Sequence, residues 1–351
     1  MPFQHCSWTP WATAPSVEHV LRGSTTEDSD AAVAYLEGGA GDVPAENERQ
    51  WQRLALWPRV LSGVEHSDLT TEVLGVATAA PVLVAASAAH GLWHPGAEVE
   101  TARGVRGAGL LMSLSQGSTR PPEEVAAVTG PYLQQLYLPE RRELVAPFVE
   151  RVAGLGAAAL VLTVDQLPVA AEQPFRARLR ELWQAPAWSA YDATAAGGAP
   201  ARSFTPEDVA WVAGLSDLPV LVKGVLHPDD ARLAVEAGAA GVVVSNHGGR
   251  QLAGSVTPAE VLGEVVAAVG DRAVVHVDSG VRTAEDVFRA LCLGAHAVHV
   301  GRPALRALAA GGAPAVTDWL SDLLGGLSAV MQLAGVRDVA ACGPERLRLR
   351  A

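Results

Sequence analysis

The sequence has little cysteine and little positive charge. Its three cysteines, Cys6, Cys292 and Cys342, lie far apart among 351 residues and form no CxxC pair. Neither a disulfide framework nor a zinc site is therefore indicated. The 26 basic residues stand against 38 acidic ones, which gives a formal charge of -12. Because no basic field is available for nucleic acid or anionic lipid, a small molecule is the expected partner.

Long apolar segments are also missing, although 49% of the residues are hydrophobic. No uninterrupted apolar run reaches the roughly 18 residues that a membrane span needs. The first 16 residues do not combine a basic stretch with an apolar one, as an export signal would. We therefore expect a soluble protein of the reducing cytoplasm, with no membrane partner. The chain can bury a large core, either as one α/β barrel or as two smaller domains.

Short apolar runs bounded by glycine, proline or polar residues recur eight times. Most segments between them have helical periodicity and begin at Asp, Thr or Pro. Near-continuous apolar strands that alternate with crossover helices are typical of an α/β fold of the (β/α)8 TIM barrel type, and the count of eight disfavours a doubly wound open sheet. The strands are predicted within residues 80–87, 107–115, 131–137, 156–165, 218–224, 238–246, 273–280 and 295–303.

One domain is expected over residues 1–351, with the barrel core at 80–303. Residues 1–79 are predicted to form an N-terminal helical cap, and residues 304–351 are predicted to form C-terminal helices. Residues 166–217 interrupt the alternation of strand and helix. Since this segment is too long for an ordinary connection, we predict a long lid loop after strand 4.

Each predicted strand has polar residues at its carboxyl end, which is the end that carries the site in a TIM barrel. Residues two apart on a strand point the same way, so Gln135 with Tyr137, and Thr163 with Asp165, can face one ligand. Polar residues mark single strand ends in many proteins, but a complete ring of them predicts a site. The ring consists of Ser87, Ser113, Ser115, Gln135, Tyr137, Thr163, Asp165, Lys223, Ser245, Asn246, His247, Asp278, Ser279 and Arg302.

Lys223 is the single lysine of the chain, and it closes the fifth apolar run. An ammonium group at a buried strand end requires an accompanying anion. Three explanations remain open from the residues alone: a bound anionic cofactor, a Schiff-base lysine with a depressed pKa, or an ion pair with Asp or Glu.

The segment GVVVSNHGGRQLAG, residues 241–254, follows the best apolar strand with the densest polar cluster. His247 is a candidate base, because the two glycines after it allow a ligand to approach closely. Arg250 can bind a carboxylate with two hydrogen bonds, and Asp165 could orient the imidazole. The structural alternative is a hydrogen-bonded histidine at the rim beside a surface arginine.

Two glycine-containing turns close strands 7 and 8, where barrels commonly bind phosphate. They are DSGVR at 278–282 and GRP at 301–303. Arg282 and Arg302 would add charge-assisted hydrogen bonds. Together the two turns predict a phosphate-bearing ligand.

These motifs resemble, in their order, those of the FMN-dependent α-hydroxy-acid oxidase and dehydrogenase family, which includes glycolate oxidase, lactate oxidase and mandelate dehydrogenase. The resemblance extends over residues 34–340. It rests on AYLEGGAGD, QLY, LTVD, LPVLVKG, VVVSNHGGRQL, DSGVR and GRP. It implies FMN as the cofactor, a small 2-hydroxy acid as the substrate and assembly into a homotetramer.

By this resemblance His247 takes a proton from the substrate while a hydride passes to the flavin, and Asp165 supports the imidazolium. Arg250 would bind the substrate carboxylate, and Tyr35 and Tyr137 would hydrogen-bond its oxygens. Lys223 would lie near flavin N1 and O2. The other residues assigned to FMN are Gln135, Thr163, Ser115, Ala86, Ser87, Ala88, Ser245, Asp278, Ser279, Gly280, Arg282, Gly301 and Arg302. No metal is implied.

The sequence also departs from the family pattern. After TVD the family usually has TPxxGxRExD, whose arginine is a second ligand of the carboxylate, whereas this chain has Ala171 and Glu172 there. We therefore expect a substrate larger than lactate or glycolate, aromatic or tethered, or an alcohol without a free carboxylate. Gln116 and Gly117 replace a serine and an aromatic residue, which would widen the pocket. The small Ala88 favours an oxidase, with O2 as acceptor, over a dehydrogenase.

Three functions of other classes remain as alternatives. Lys223 could be the Schiff-base residue of an aldolase. A metal-dependent hydrolase would use His90, His94, Asp165 and His247, although these lack the HxH spacing of metal ligands. The third alternative is a flavin-binding protein without catalytic activity.

Overall fold

The computed structural model describes residues 26–167 and 201–350. Between residue 26 and the barrel lie two helices, α1 (Thr26–Glu37) and α2 (Val43–Arg53), and three short strands, β1 (Leu54–Leu56), β2 (Thr71–Val73) and β3 (Val76–Thr78). The cap predicted over 1–79 is thus helical from residue 26 to 53 and extended after that. Its residues 1–25 lie outside the described residues.

The β2–β3 hairpin closes the amino end of the barrel. Leu74 and Gly75 both have positive φ, as the central residues of a type I′ turn do, and this joins the two strands tightly. Val73, Leu74 and Val76 pack against the apolar side chains inside the barrel. The segment therefore acts as a plug and not only as a helical cap.

A closed barrel of eight parallel strands follows, so the predicted TIM barrel is confirmed. The strands pair in chain order, and the last one pairs with the first. They are β4 (Val82–Val84), β5 (Leu111–Leu114), β6 (Tyr132–Leu136), β7 (Ala157–Thr163), β8 (Val220–Val225), β9 (Gly241–Val244), β10 (Val274–Val277) and β11 (Ala297–Val300).

Helices surround the barrel and cover its outer face. They are α3 (Ala97–Gly107), α4 (Pro122–Thr129), α5 (Val145–Gly154), α6 (Pro206–Ala213), α7 (Pro228–Glu236), α8 (Pro258–Val269), α9 (Ala284–Cys292) and α10 (Arg302–Ala334). Thr205, Thr257 and Thr283 begin three of them with capping boxes, in which an acidic side chain three residues later completes the hydrogen bonds. Among the described helices, none combines the length and apolar character that crossing a membrane requires.

The lid predicted over 166–217 extends too far toward its carboxyl end. Residues 206–213 form α6, an ordinary crossover helix between β7 and β8. The Thr-Pro-Glu-Asp sequence at its start is a cap signal that the lid prediction overlooked. Residues 168–200 of the predicted lid, including Ala171 and Glu172, lie outside the described residues.

The C-terminal region also differs from a set of helices at 304–351. Helix α10 starts earlier, at Arg302, and is interrupted at Gly311 and Gly312, whose backbone angles are not helical. The chain leaves it at Gly335 in the left-handed conformation, and β12 (Leu347–Leu349) pairs antiparallel with β1. The end of the described chain is therefore tied to the segment before the barrel.

The barrel interior changes character along its axis. Its amino half contains a cluster of apolar side chains from the strands and the hairpin, namely Val73, Leu83, Leu111, Leu133, Ala159, Val161, Leu221, Val243 and Ala297. Because side chains two apart on a strand share a face, the interior positions further along carry the polar residues of the ring. The fold thus delivers those residues to the carboxyl end of the barrel.

Candidate active site

A cavity of about 380 Å³ opens at the carboxyl ends of the barrel strands. All the residues assigned to catalysis or to FMN line it, except Asp165 and Ser245, which contact residues that do. Ser113 and Asn246 of the polar ring do not line it. Those in the lining are Tyr35, Ala86, Ser87, Ala88, Ser115, Gln135, Tyr137, Thr163, Lys223, His247, Arg250, Asp278, Ser279, Gly280, Arg282, Gly301 and Arg302. The fold therefore brings residues from distant parts of the chain to one cavity.

Lys223 is ion-paired inside this cavity. Its Nζ lies 3.2 Å from Asp278 Oδ2 and donates to Ser245 Oγ at 2.8 Å. Burial opposes the charged form, but the Asp278 and Asp165 carboxylates outweigh it and raise the pKa of Lys223. For Asp278, burial is likewise outweighed, mainly by Lys223, and its pKa is lowered. The lysine is thus held as an ammonium group, by an anion that belongs to the same predicted site.

His247 and Asp165 form the second pair, with His247 Nδ1 2.9 Å from Asp165 Oδ1. The backbone N–H of His247 also donates to Ser245 Oγ at 3.0 Å, so one hydroxyl contacts both the histidine and Lys223. Gly224 makes room for the carboxylate, since a Cβ there would lie 2.5 Å from the Asp165 Cβ. The imidazole is therefore held by its Nδ1 side.

The turn after β9 explains the two glycines of the NHGG motif. His247, Gly248 and Gly249 all have positive φ, which is rare for a side chain such as histidine. A Cβ on Gly249 would lie 2.7 Å from the backbone nitrogen of Pro44. The glycines thus allow a left-handed turn that packs closely on the segment before the barrel and turns His247 into the cavity.

An asparagine pair that the sequence did not reveal holds this turn. Asn246 and Asn47 of α2 exchange two side-chain hydrogen bonds, of 2.6 and 2.9 Å. Asn246 Oδ1 also accepts from the backbone N–H of Gly249 at 2.9 Å. Asn246 was part of the polar ring, but Asn47 lies 199 residues away and carried no local signal.

Arg250 packs against Tyr35 of α1 at the edge of the cavity. Its Cζ lies 4.6 Å from the centre of the Tyr35 ring, and its guanidinium donates to the carbonyls of Tyr35 and Gly38. The Tyr35 hydroxyl accepts from the backbone N–H of Ala88 at 3.1 Å, and its ring meets Trp93 edge to face. The first described helix therefore completes the site that the barrel begins.

A continuous set of hydrogen bonds joins strands β5, β6 and β7. Gln135 Nε2 donates to Thr163 Oγ1 at 3.2 Å, and Gln135 Oε1 accepts from the backbone N–H of Gln116 at 3.0 Å. Gln116 Oε1 in turn accepts from the backbone N–H of Tyr137 at 2.7 Å. Gln116 is one of the residues at which the sequence departs from the family pattern, and its side chain fixes the backbone of Tyr137.

The two predicted phosphate turns bring Arg282 and Arg302 into the same cavity. Burial, with Arg250 and Arg282 nearby, lowers the pKa of Arg302 to about 9. Among the described residues, the buried Nε of Arg302 has no hydrogen-bond partner. Arg282 is paired with Glu48, and burial still lowers its pKa. A cluster of buried arginine side chains of this kind indicates a binding site for an anion.

Several residues of the lining were missed by the sequence analysis. They are Ala85, Leu138, Pro139, Gln166, Phe204, Val281, His299 and Leu305. Most of them are apolar and lack a pattern that separates them from core residues. His299 is different, since a histidine that alternates with alanine and valine on a strand signals a polar group inside the barrel.

Comparison with known proteins places the chain in a family. The model of the FMN-dependent dehydrogenase family matches residues 26–349. The chain is 40% identical over 335 residues to L-lactate oxidase of a Nostoc species, which covers 88% of this chain and 91% of that protein. It is 37% identical over 329 residues to glycolate oxidase of Spinacia oleracea, covering 87% and 88%.

The chain belongs to the FMN-dependent dehydrogenase family. A solved structure of mandelate oxidase with (S)-2-phenylpropionate agrees in fold, with a TM-score of 0.83 at 37% identity over 95% of this chain and 98% of that one. The protein is accordingly an FMN-dependent oxidoreductase, and the resemblance recognised in its motifs is confirmed.

The residues of the cavity fit FMN. The unpartnered Nε of Arg302 and the glycines at 280 and 301 suit a phosphate group. The ammonium of Lys223 suits a ring system that becomes negatively charged on reduction.

The alternative functions lose support from the same geometry. A Schiff-base lysine needs a depressed pKa, whereas the pKa of Lys223 is raised. Of the residues considered for a metal hydrolase, His90 contacts Thr101 and His94 accepts from the backbone N–H of Gly96, whereas His247 and Asp165 bond to each other. In the described ranges, no group of three or more His, Cys, Asp or Glu side chains could hold a metal ion.

Proposed function

We propose that this protein oxidises a 2-hydroxy acid to the 2-oxo acid and passes the electrons, by way of FMN, to O2, which yields H2O2. The observation that carries the proposal is the 2.9 Å contact of His247 with Asp165 in the cavity that also holds Arg250 and Lys223. Similarity to lactate and glycolate oxidases supports both the substrate class and the acceptor.

His247 is assigned the role of general base. Since Asp165 is a carboxylate, Nδ1 of the imidazole is the nitrogen that donates to it, and Nε2 is left as the basic atom. Nε2 can take the hydroxyl proton of the substrate, and the imidazolium that results gains the negative charge of Asp165 as its partner. Among the described residues, Asp165 Oδ2 is buried without a hydrogen bond, and the carboxylate also interacts electrostatically with Lys223.

Arg250, Tyr35 and Tyr137 are assigned to substrate binding. Arg250 is 8% exposed and its guanidinium is held against the Tyr35 ring, so it needs little reordering to bind a carboxylate. Gln116 Oε1 accepts from the backbone N–H of Tyr137, which also lines the cavity, and so fixes its backbone. These groups can orient the substrate so that its hydroxyl faces His247.

Lys223 is assigned to the electrostatics of the cofactor. When bound, FMN accepts the two electrons that leave the substrate carbon. The Lys223 ammonium, kept protonated by Asp278, supplies a fixed positive charge in the same cavity. Ser245 and Asp278 hold this charge in place and so act through Lys223.

The size of the substrate and the use of O2 follow from the small residues of the lining. Gly117 and Ala88 both line the cavity and leave room beside Tyr35 and Tyr137. We infer a substrate larger than lactate, such as an aromatic 2-hydroxy acid. The backbone N–H of Ala88 donates to the Tyr35 hydroxyl, which places the small residue next to the substrate-binding side.

An anaerobic flavin-bleaching screen tests the proposed function. The holoenzyme is mixed with glycolate, lactate, mandelate and larger 2-hydroxy acids and esters, and absorbance near 450 nm is followed before air is readmitted. Bleaching by a 2-hydroxy acid, followed by recovery of the colour in air with formation of H2O2, is the expected result. Bleaching without recovery in air would indicate a dehydrogenase, and no bleaching by any 2-hydroxy acid would contradict the substrate class.

A single domain, a homotetramer and a cytoplasmic location complete the proposal. Pairing of β12 with β1 packs both ends of the described chain on one barrel, which supports one domain. Exposed apolar side chains near these strands, including Leu61, Leu333 and Leu349, support association. Light scattering on the purified full-length protein measures the assembly, and a monomer would contradict it.

A further inference from the structure

Two buried histidines meet inside the barrel below the site. Nδ1 of His276 on β10 lies 3.0 Å from Nε2 of His299 on β11, and the ring centres are 5.2 Å apart. The two side chains are 1% and 3% exposed. The proposed reaction assigns no role to either residue.

The pair occupies the level between the apolar interior and the cavity. On β11, His299 lies between Ala297, which belongs to the apolar cluster, and Gly301, which lines the cavity. The order is the same on β10, where the apolar Val274 lies two residues before His276 and Asp278 lies two residues after it. His299 itself lines the cavity, so its imidazole forms part of the floor.

Burial favours the neutral form of both rings. Burial lowers the pKa of His299 to about 4, with Asp278 opposing this shift and Lys223 adding to it. Burial and the neighbouring His299 and His296 hold the pKa of His276 well below its usual range.

Two neutral rings in contact share one proton between the facing nitrogens, so their tautomers are coupled. If His276 Nδ1 donates, the proton of the His299 ring is on its own Nδ1. If His299 Nε2 donates, its Nδ1 is an acceptor. In either case Nδ1 of His299 has a hydrogen-bonding capacity that the histidine pair does not use.

Two apolar side chains could fill this level of the barrel and would need no hydrogen-bond partners. The apolar cluster below it consists of leucine, valine and alanine side chains. Each buried nitrogen loses hydration and needs a partner to compensate, so a histidine pair is a poor choice for a purely structural layer. Its position at the floor of the cavity points instead to what the cavity binds.

We propose that His299 is an additional FMN-binding residue, whose neutral imidazole hydrogen-bonds a polar group of the cofactor from the floor of the cavity. His276 is the positioning residue that fixes the tautomer and the orientation of that ring. FMN offers suitable partners, because its ribityl hydroxyls and its pyrimidine edge both donate and accept. The inference rests on FMN dependence and is independent of the substrate.

The FMN affinity of the full-length protein tests this role. Wild type and His299→Phe are stripped of flavin and titrated with FMN, and Kd is taken from the quenching of flavin fluorescence. Loss of one hydrogen bond should raise Kd about fivefold to tenfold. In the double variant His276→Phe/His299→Phe, the urea midpoint of the flavin-free protein should stay equal or rise, because two buried polar groups are removed together. An FMN Kd of His299→Phe equal to that of wild type would overturn the proposal.

Three further variants separate hydrogen bonding from shape. His299→Gln keeps a donor and an acceptor and should bind FMN more tightly than His299→Phe. His276→Phe leaves the cavity-facing ring in place and should raise Kd by about twofold, a fraction of one hydrogen bond. His66→Phe, at an exposed position before the β2–β3 hairpin, is the matched control and should leave Kd unchanged. Equal affinity of His299→Gln and His299→Phe would contradict a hydrogen bond.

Nitrogen NMR of the histidine rings supplies a measurement that depends on no variant being stable. In 15N-histidine-labelled wild type, saturation with FMN should shift the Nδ1 resonance of His299, and that of His276 less. Unchanged resonances of the His299 ring on FMN binding would overturn the proposal even if no substituted protein folds.

Discussion

The two ends of the barrel are formed by the same strands and differ in nearly every physical property. The amino end holds an uncharged apolar cluster, plugged by the β2–β3 hairpin. The carboxyl end holds buried cations and a left-handed turn at His247. Strain and buried charge persist only where the surrounding structure holds them in place. The comparison indicates that the apolar end provides the stability on which the charged end depends.

The largest effect is expected at the carboxyl end, from His247→Ala. Removal of the base should slow anaerobic flavin reduction by up to about ten-thousandfold, or roughly 5 kcal/mol in the barrier. The midpoint of thermal unfolding and the binding of FMN should change little, because the side chain is partly exposed. Stopped-flow absorbance measures the rate, with the exposed His66→Ala as control. A loss below tenfold would mean that another group takes the proton.

Lys223→Met should have the second largest effect, and it should lower the stability of the fold as well as the rate of flavin reduction. It leaves Asp278 buried without its cation, which destabilises a protein by about 3–5 kcal/mol. Lys223→Met/Asp278→Asn should recover most of that stability without recovering the reaction. Urea unfolding of both variants checks this. A single variant as stable as wild type would show that the charged end does not depend on this ion pair.

Leu221→Ala probes the apolar end at a fully buried position of the cluster. The cavity left behind should destabilise the protein by about 3 kcal/mol, with FMN affinity and the rate of flavin reduction close to wild type. Leu233→Ala, 45% exposed on α7, is the control and should change stability by less than about 0.5 kcal/mol. A large loss in the rate of flavin reduction in folded Leu221→Ala would show that the apolar end contributes directly to the reaction and not only to stability.

The smallest effect concerns pH and the histidine pair between the two ends. His299 has a pKa of about 4 when folded against 6.5 as its ordinary value, so the unfolded chain takes up the proton first as pH falls. The contribution of His299 to the free energy of unfolding is fully present above pH 6.5 and is lost as the pH falls toward 4. The loss amounts to about 2 kcal/mol between pH 7 and 4.5. Urea unfolding at these two pH values should show a smaller difference in His276→Phe/His299→Phe. An equal difference in that variant would assign the acid sensitivity to other groups.

Much of the site could be predicted because a barrel brings all its strand ends together. Once the eight apolar runs were read as parallel strands, His247 and Asp165, on different strands, were expected to meet, and they do. From the residues alone, the role of Lys223 was left open between binding an anionic cofactor, forming a Schiff base and pairing with Asp or Glu. Only the closed barrel shows that Asp278 lies 3.2 Å away.

Contacts with the segment before the barrel could not be predicted. Asn47 meets Asn246, and Tyr35 stacks on Arg250, across more than 190 residues of sequence. No periodicity encodes these contacts, because they depend on how α1 and α2 dock on the barrel. The His276–His299 contact was missed for a related reason: each histidine looks like an isolated polar residue on its own strand.

The sequence by itself determined the kind of fold, the family and the ring of candidate residues, because strand periodicity, turn glycines and caps act over a few residues. Tertiary structure alone decided which charges are paired, which turn is left-handed and which side chains form the cavity floor. Those properties depend on the closure of β11 against β4 and on the docking of the first helices, which join parts of the chain far apart in sequence.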